Sequence, residues 1–399
     1  MRKYFFYTLL LLFITVHLLS CKDESGILSA KETISLPEGI RFGTFHNTLR
    51  GVTLTWSSNS ACDSVKWGYT EDYEQGKFAG KPRIKDNRKL YDYTFPNLKS
   101  SSQIHFTIKY KGKWSEEALF NTSADTSSEN FSFIAGGDSH AGDSENTNQR
   151  WEKISNLISG ENVDFIIHLG DVVDDNNDWS QWQTYFEYGK NLTTQKIIFY
   201  TQGNHEYGSI SLFNQTLPGN KKWYSFKQGN ALFICLLSEE DFDVQYNWLL
   251  EQLRNSDKEW IIVFFHRPFF TRGSHKSEMT AYRSTWWKAF DDYGVDIIMS
   301  GHTHSYIRTK PINLNLSDSS SVSEYGSKKN QGRLEFVAGG LGGDNSKECE
   351  KWFTAKAYSG MHYIKFQING HTLHFDAYNE TGTLIDSMTV YEGGAPFTH

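Results

Sequence analysis

Eight polar residues stand at or just beyond the ends of short apolar runs. They are Asp138 and His140 in "FSFIAGGDSH", Asp171 in "VDFIIHLGD", Asn204 and His205 in "KIIFYTQGNHE", His266 in "WIIVFFH", and His302 with His304 in "IIMSGHTHSY". Carboxylate and amide oxygens suit hard divalent or trivalent ions, and imidazole suits iron, zinc and manganese. One carboxylate can bridge two ions. Two ions about 3.5–4 Å apart can hold the attacking and the leaving oxygen of a phosphoryl group, and a bound metal can bring the pKa of water down to about 7. His302 and His304, one residue apart on a tight turn, can present their rings to neighbouring ions. Taken singly, Asp138 and Asp171 read as turn aspartates, His266 as a strand-end core histidine, and His302 and His304 as solvated rings. All of these bland readings holding at once is improbable, and the set reads as one two-metal site.

Such a site needs strands that all deliver their ends to one edge. From Phe131 onward, apolar strands alternate with stretches of helical period. "RWEKISNLIS" places Trp151, Ile154, Leu157 and Ile158 on one face; "WSQWQTYFEYGKNL", "VQYNWLLEQLRN" and "STWWKAFDDYG" are also helical. Alternating strand and helix predicts stacked layers around a buried sheet, with functional groups at the carboxyl ends of the strands. The end of the chain is strand-rich, in "RLEFVAGG", "MHYIKFQING", "TLHFDAYN" and "SMTVYE". Upstream, 37–124 alternates apolar and polar residues in short runs separated by turns, which predicts a small all-β sandwich. "SADTSSEN" marks the linker between the two. The polar stretch "NLNLSDSSSVSEYGSKKN" reads as a surface loop or insertion.

The N-terminus carries a different message. "MRKYFFYTLLLLFITVHLLSC" joins Arg2 and Lys3 to an apolar run too short to span a bilayer, so 1–20 reads as a secretory signal. Leu18-Leu19-Ser20-Cys21 resembles a bacterial lipobox, which predicts cleavage before Cys21, a lipid on its sulfur, and a polar tether over 21–36. "CKDE" resembles a surface-display signal of some diderm bacteria. The expected location is the outer membrane, facing either the cell surface or the periplasm. Among 399 residues there are 4 Cys; Cys62, Cys235 and Cys349 follow no metal-binding spacing and allow at most one disulfide. The formal net charge of −7 argues against a nucleic-acid partner. The 12 Trp, 21 Tyr and 28 Phe fit either a sugar- or nucleoside-binding surface or plain β-sandwich cores.

The ordered set "GDSH", "GDVVD", "GNHE", "FFHRP" and "GHTH" resembles the binuclear metallophosphoesterases of the calcineurin-like superfamily, and within them the purple acid phosphatase branch. The resemblance covers nearly all of the mature chain. It implies a four-layer α/β/β/α catalytic domain over 128–392, preceded by a fibronectin-like domain over 37–124. It implies that Asp138, His140, Asp171 and His304 bind a first metal. Asn204, His266 and His302 complete a second, with Asp171 bridging. His205 would face the substrate phosphate, stabilise the transition state and protonate the leaving oxygen. His275, nine residues beyond His266, stands where the family often has a substrate-facing histidine. The implied reaction is hydrolysis of a small-molecule phosphate monoester by a metal-bridging hydroxide.

Two departures stand out. Purple members have a tyrosine where this chain has Asp174, and a glycine where it has His140. A histidine ligand in place of tyrosine predicts Fe, Mn or Zn in the site and no purple colour. Phosphodiester hydrolysis of nucleotides or lipid head groups would use the same ligands. A surface glycan-binding module with a vestigial site is the alternative from another class. Glu206 reads as structural rather than as a base. His168 reads as core or supporting, Asp174 and Asp175 as supporting or solvated, Arg267 and Arg308 as structural, and Trp286 and Trp287 as helix packing.

Overall fold

The computed structural model describes residues 33–44, 49, 51–60, 63–85, 88–207, 213, 216–217, 221–271, 279–346 and 351–392. The expected signal peptide, Cys21, most of the expected tether, Cys62, His275 and Cys349 lie outside them.

The all-β region holds β1 (Arg41–Gly43), β2 (Val52–Ser57), β3 (Ser64–Gly68), β4 (Gly76–Ala79), β5 (Lys81–Lys85), β6 (Arg88–Phe95), β7 (Gln103–Tyr110), β8 (Lys113–Trp114) and β9 (Ala118–Asn121). One sheet runs β1-β2-β6-β5 and the other β4-β3-β7-β8, with β9 on β7. Alternation is legible in β2, where Val52, Leu54 and Trp56 are fully buried on one face. They meet Val65, Phe95, Phe106 and Phe120 from the opposite layer and its neighbours.

The second region is built on two larger sheets. Its strands are β10 (Asn130–Gly136), β11 (Phe165–His168), β12 (Ile198–Tyr200), β13 (Tyr224–Gln228), β14 (Ala231–Cys235), β15 (Trp260–Phe264), β16 (Ile297–Ser300), β17 (Tyr306–Thr309), β18 (Leu334–Ala338), β19 (Thr354–Tyr358), β20 (His362–Asn369), β21 (Thr372–Asn379) and β22 (Leu384–Tyr391). One sheet is ordered β12-β11-β10-β20-β21-β22, the other β13-β14-β15-β16-β18-β17-β19. Helices α1 (Glu145–Ser159), α2 (Trp179–Tyr188) and α3 (Lys190–Thr193) belong to the first sheet. Helices α4 (Phe242–Arg254) and α5 (Lys288–Tyr293) belong to the second.

Strand alternation assigns the four layers. In β15, Trp260, Ile262 and Phe264 face the space between the sheets, while Ile261 and Val263 face the helices. In β11, Phe165 and Ile167 point inward and Ile166 packs under α1 and α2. Helix α1 starts where Ser144 Oγ accepts the Thr147 N–H at 3.2 Å, and it buries Trp151, Ile154 and Ile158. Truncating a fully buried tryptophan such as Trp151 to alanine costs about 3–5 kcal/mol. Between the sheets the filling is aromatic: Phe133 lies 5.3 Å from Phe165, 4.9 Å from Phe366 and 5.2 Å from Phe233. Much of the aromatic surplus is therefore core. Trp286 and Trp287 join the core under α5.

The stretch read as a linker is not free. Ser123 Oγ donates to the Asp164 carbonyl at 3.0 Å, and Gln228 Nε2 donates to the carbonyls of Ala124 at 3.2 Å and Asp125 at 3.0 Å. An isolated bridge pairs Phe42 with Ile197, and Arg41 is fully buried with its guanidinium 4.6 Å from the Phe186 ring centre. The two regions form one compact unit, and a polar linker composition does not reveal such contacts.

Candidate metal centre

The strand-end loops after β10, β11, β12, β15 and β16 converge on one edge. Four of the residues there hold a left-handed backbone: Asp138 at φ 62°, His140 at 43°, Asp171 at 49° and His302 at 66°. Non-glycine residues in this region carry strain of order 1–3 kcal/mol each, and such strain clusters at functional sites. The turns aim successive side chains inward where a regular strand would alternate them.

Two ligand sets emerge. In the first, His140 Nε2 lies 3.2 Å from His304 Nε2 and 3.6 Å from Asp171 Oδ2, and His304 Nε2 lies 3.4 Å from Asp138 Oδ1. In the second, His266 Nε2 lies 3.0 Å from Asp171 Oδ2, 3.0 Å from Asn204 Oδ1 and 3.2 Å from His302 Nδ1. Asp171 belongs to both. All seven expected ligands are thus brought together.

The two carboxylates are oriented by the same device. Asp138 Oδ2 accepts the His302 N–H at 2.9 Å, and Asp171 Oδ1 accepts the His205 N–H at 3.0 Å. The other oxygen of each points into the site. Two of the four imidazoles are fixed likewise, by donation from the far nitrogen. His266 Nδ1 donates to the Leu169 carbonyl at 2.8 Å, and His304 Nδ1 to the Asp344 carbonyl at 2.8 Å. That leaves Nε2 of each ring facing the site.

The residues fit a pair of cations. Asp138 Oδ1 is buried without a hydrogen-bond partner. Beside it Nε2 of His140 and Nε2 of His304 stand 3.2 Å apart, two ligand nitrogens aimed at one place. Without a metal, protons take the place of ions. Burial pushes the Asp171 carboxyl up, but His266 overrides it and holds the carboxyl well below the usual range. Burial likewise lowers His266, and Asp171 outweighs it, lifting the imidazole to about 10. Asp138 is lowered and His304 raised, each against burial, through their mutual contact.

The supporting residues sort clearly. Glu206 is fully buried and accepts N–H groups from Asp171 at 2.9 Å, Val172 at 2.8 Å, Val173 at 3.3 Å and Gly203 at 2.9 Å, which is a structural role. His205 places Nε2 4.0 Å from Asp171 Oδ2, and its Nδ1 donates to the Asp174 carbonyl at 2.6 Å. Asp174 Oδ1 also lies 3.4 Å from His140 Nδ1, and this contact is the main reason its pKa is lowered. Asp175, by contrast, caps its own exposed turn. His168 stacks on Tyr200 and meets Ser139 Oγ at 3.1 Å, and burial pushes its pKa down to about 3. Arg308 pairs with Asp386 at 2.7 Å, away from the ligands. Arg267 differs from expectation. It is held by Glu239 at 2.8 Å, yet its Nη1 lies 3.1 Å from His302 Nε2, at the edge of the second ligand set.

One element escapes the motif pattern altogether. The turn Gly339–Asp344 follows β18 and runs behind the first ligand set. Gly343 N–H donates to the Asp138 carbonyl at 2.9 Å, and a Cβ on Gly343 would stand 2.4 Å from His304 Cε1. Its signal is the run "GGLGGD", in which glycine permits close backbone approach.

Comparison with known proteins agrees with this geometry. A family model described as calcineurin-like phosphoesterase matches residues 131–306. Purple acid phosphatase 18 of Arabidopsis thaliana is 31% identical over 192 residues, covering 42% of this chain and 44% of that protein. Probable inactive purple acid phosphatase 27 of the same plant is 24% identical over 410 aligned positions, covering 90% of this chain and 65% of that protein. The chain therefore spans less than two thirds of these relatives' length. The structure of purple acid phosphatase PPD1 from yellow lupin (Lupinus luteus) seeds superposes with a TM-score of 0.73 at 20% identity, over 90% of this chain and 75% of that one, a likeness of fold. Residues 131–306 are a calcineurin-like phosphoesterase domain, with purple acid phosphatases among the chain's relatives.

Proposed function

We propose that this chain is a binuclear, metal-dependent hydrolase of phosphate esters, and of small-molecule monoesters in particular. The observation that carries the reading is Asp171 Oδ2 standing within reach of both ligand sets, 3.6 Å from His140 Nε2 and 3.0 Å from His266 Nε2. Asp138, His140, Asp171 and His304 would hold one ion, and Asp171, Asn204, His266 and His302 the other. When bound, such a pair activates water near neutral pH and clamps the attacking and leaving oxygens of a phosphoryl group. Fe, Mn and Zn all suit this mixed oxygen and imidazole set.

The chain's own contribution follows from its hydrogen bonds. His205 is held through Nδ1 by the Asp174 carbonyl, and its side chain is 31% exposed. Nε2 therefore faces the opening, where it can hold a proton against a phosphate oxygen and release it to the leaving group. The preference for monoesters is supported by the phosphatase names of the relatives.

The test is a paired rate assay on the chain from Lys22 onward, loaded in turn with Fe, Mn and Zn. Monoester turnover well above diester turnover is expected. Faster diester cleavage would move the assignment to a phosphodiesterase. No turnover of either, with two ions bound, would sink the hydrolase reading.

We also propose that Cys21 carries a lipid that holds the protein at the outer membrane. No helix among the described residues is long and apolar enough to cross a membrane. Labelled palmitate should enter the wild-type chain and not a Cys21→Ala variant; equal labelling would end this reading.

A further inference from the structure

The first ligand set is finished from outside by a residue on α1. His304 is the ligand whose orientation depends on the Gly339–Asp344 turn, because its Nδ1 donates to the Asp344 carbonyl at 2.8 Å. A peptide carbonyl points where its turn points, and this turn is only partly held from within. The Leu341 N–H donates to the Gly137 carbonyl at 2.9 Å and the Gly343 N–H to the Asp138 carbonyl at 2.9 Å. Beyond Gly343 the backbone is next held at Ser346, whose N–H donates to the His304 carbonyl at 2.9 Å, and a side chain grips the residues before it. Arg150 Nη1 donates to Asp344 Oδ1 at 2.6 Å and to the Gly343 carbonyl at 3.4 Å. The guanidinium thus grips both residues flanking the peptide unit that leads to the His304 acceptor.

Glycine makes this grip consequential. Nothing but backbone fits between the turn and its surroundings: a Cβ on Gly342 would stand 2.2 Å from the Ser139 carbonyl oxygen, and one on Gly343 2.4 Å from the His304 ring. Of residues 339–343 only Leu341 carries a side chain, which is buried in the core, so beyond it the turn keeps its carbonyl direction through hydrogen bonds and an external clamp. In the second set the His266 acceptor is the Leu169 carbonyl, directly after β11, and the arginine there, Arg267, meets the ligand His302 itself rather than a turn behind it.

We propose that Arg150 is a positioning residue for metal binding. It acts through the Asp344 carbonyl on His304 and sets the affinity of the first site while leaving the second alone. The inference rests on the metal-site reading above but not on any substrate. Loss of an outer partner of a metal ligand costs about 10–100-fold in affinity, and an Arg–carboxylate pair with one exposed partner is a weak one. The effect expected here is at the small end, about five- to tenfold.

The experiment is a two-site Zn²⁺ titration of the metal-free chain from Lys22 onward, followed by calorimetry. Asn204→Ala identifies which binding constant belongs to the second site. Arg150→Ala should weaken the first site about five- to tenfold and leave the second within twofold. Asp344→Ala should do the same, since it removes the clamp's acceptor but not the carbonyl. The double variant should lose no more than either single one, because both act on one contact. Arg150→Lys should recover part of the loss. Equal weakening of both sites, or additive losses in the double variant, would show a merely structural role and overturn the proposal. So would unchanged affinity. A wild-type chain that takes up no metal would overturn the metal-site reading together with this one, whereas two normal sites in Arg150→Ala would overturn this one alone.

Discussion

Glu206 Oε2 accepts the backbone N–H of Asp171 at 2.9 Å, so one buried carboxylate holds the main chain that carries another. The same oxygen takes the Gly203 N–H at 2.9 Å, and Oε1 takes those of Val172 and Val173. The loops after β11 and β12 are thereby tied into one piece with a shared ligand at its centre. Burial, and then the charge of Asp171, pushes Glu206 up to about 8, against four donors that favour the ionised form.

Glu206→Gln tests this tie with little change in shape. A glutamine amide can accept on one side only; on the other it presents its own N–H groups to two buried donors. Each buried donor left unmatched costs about 1–3 kcal/mol, so a loss of about 2–6 kcal/mol is expected. At pH 9, where Glu206 is ionised, the melting temperature of the metal-free protein should fall and metal uptake should weaken. A variant with unchanged melting temperature and full metal content would show that the tie contributes nothing.

Metal uptake should release protons. His266 stands at about 10 in the metal-free protein because Asp171 outweighs burial, so Nε2 is protonated at neutral pH and must lose that proton to become a ligand. Asp171 lies well below its usual range and contributes no proton above pH about 4. Apparent affinity should therefore rise with pH until it levels off near 10. The raised histidine pKa also stabilises the metal-free fold. That contribution is complete below the ordinary value of about 6.5 and fades as pH climbs through 10. Calorimetry at pH 7 in buffers of different ionisation enthalpy should show proton release on binding. Affinity that stays constant between pH 6 and 9 would contradict the Asp171–His266 pairing.

The ligand set was legible in the sequence for a physical reason. Asp138, Asp171, Asn204, His266 and His302 each follow a strand directly or after a short loop, and strand ends on one sheet edge meet in space. The layers were legible because α1 carries its period openly and β15 is a continuous apolar run, as a strand covered on both faces is. Contacts closed by tertiary packing were not. "GGLGGD" shows a run of glycines but not that Gly343 would lie against the His304 ring. "FFHRP" shows His266 but not that Arg267 would lie 3.1 Å from His302 Nε2. The Ser/Asp/Asn content of 123–130 signals a linker, whereas its carbonyls are bound by Gln228, about a hundred residues away.

His205 should matter for turnover and not for metal. Its Nδ1 is committed to the Asp174 carbonyl, and its Nε2 lies 4.0 Å from Asp171 Oδ2, farther than His266 Nε2 at 3.0 Å. His205→Asn removes the proton carried on Nε2. Proton transfer by a positioned side chain contributes about 10²–10⁴-fold, so kcat should fall by that order. Metal content should stay at the wild-type value. If the variant binds one ion fewer, His205 is a ligand; if kcat does not change, it is not the acid.

The absent tyrosine should show in the spectrum. The position where purple members carry it is Asp174, whose carboxylate stands one step back from the first set, against His140 Nδ1 at 3.4 Å. His140 Nε2 takes the inward place instead, 3.6 Å from Asp171 Oδ2. An imidazole is a neutral ligand without the phenolate electrons that colour a ferric centre. A protein loaded with iron and held oxidised should therefore show no intense visible band, and Asp174→Tyr should not create one, because His140 already fills the position. The measurement is the visible spectrum of the iron-loaded chain alongside its metal content. A strong visible band from the wild-type protein at full iron loading would mean that a phenolate reaches the metal, and that His140 is not the ligand its geometry indicates.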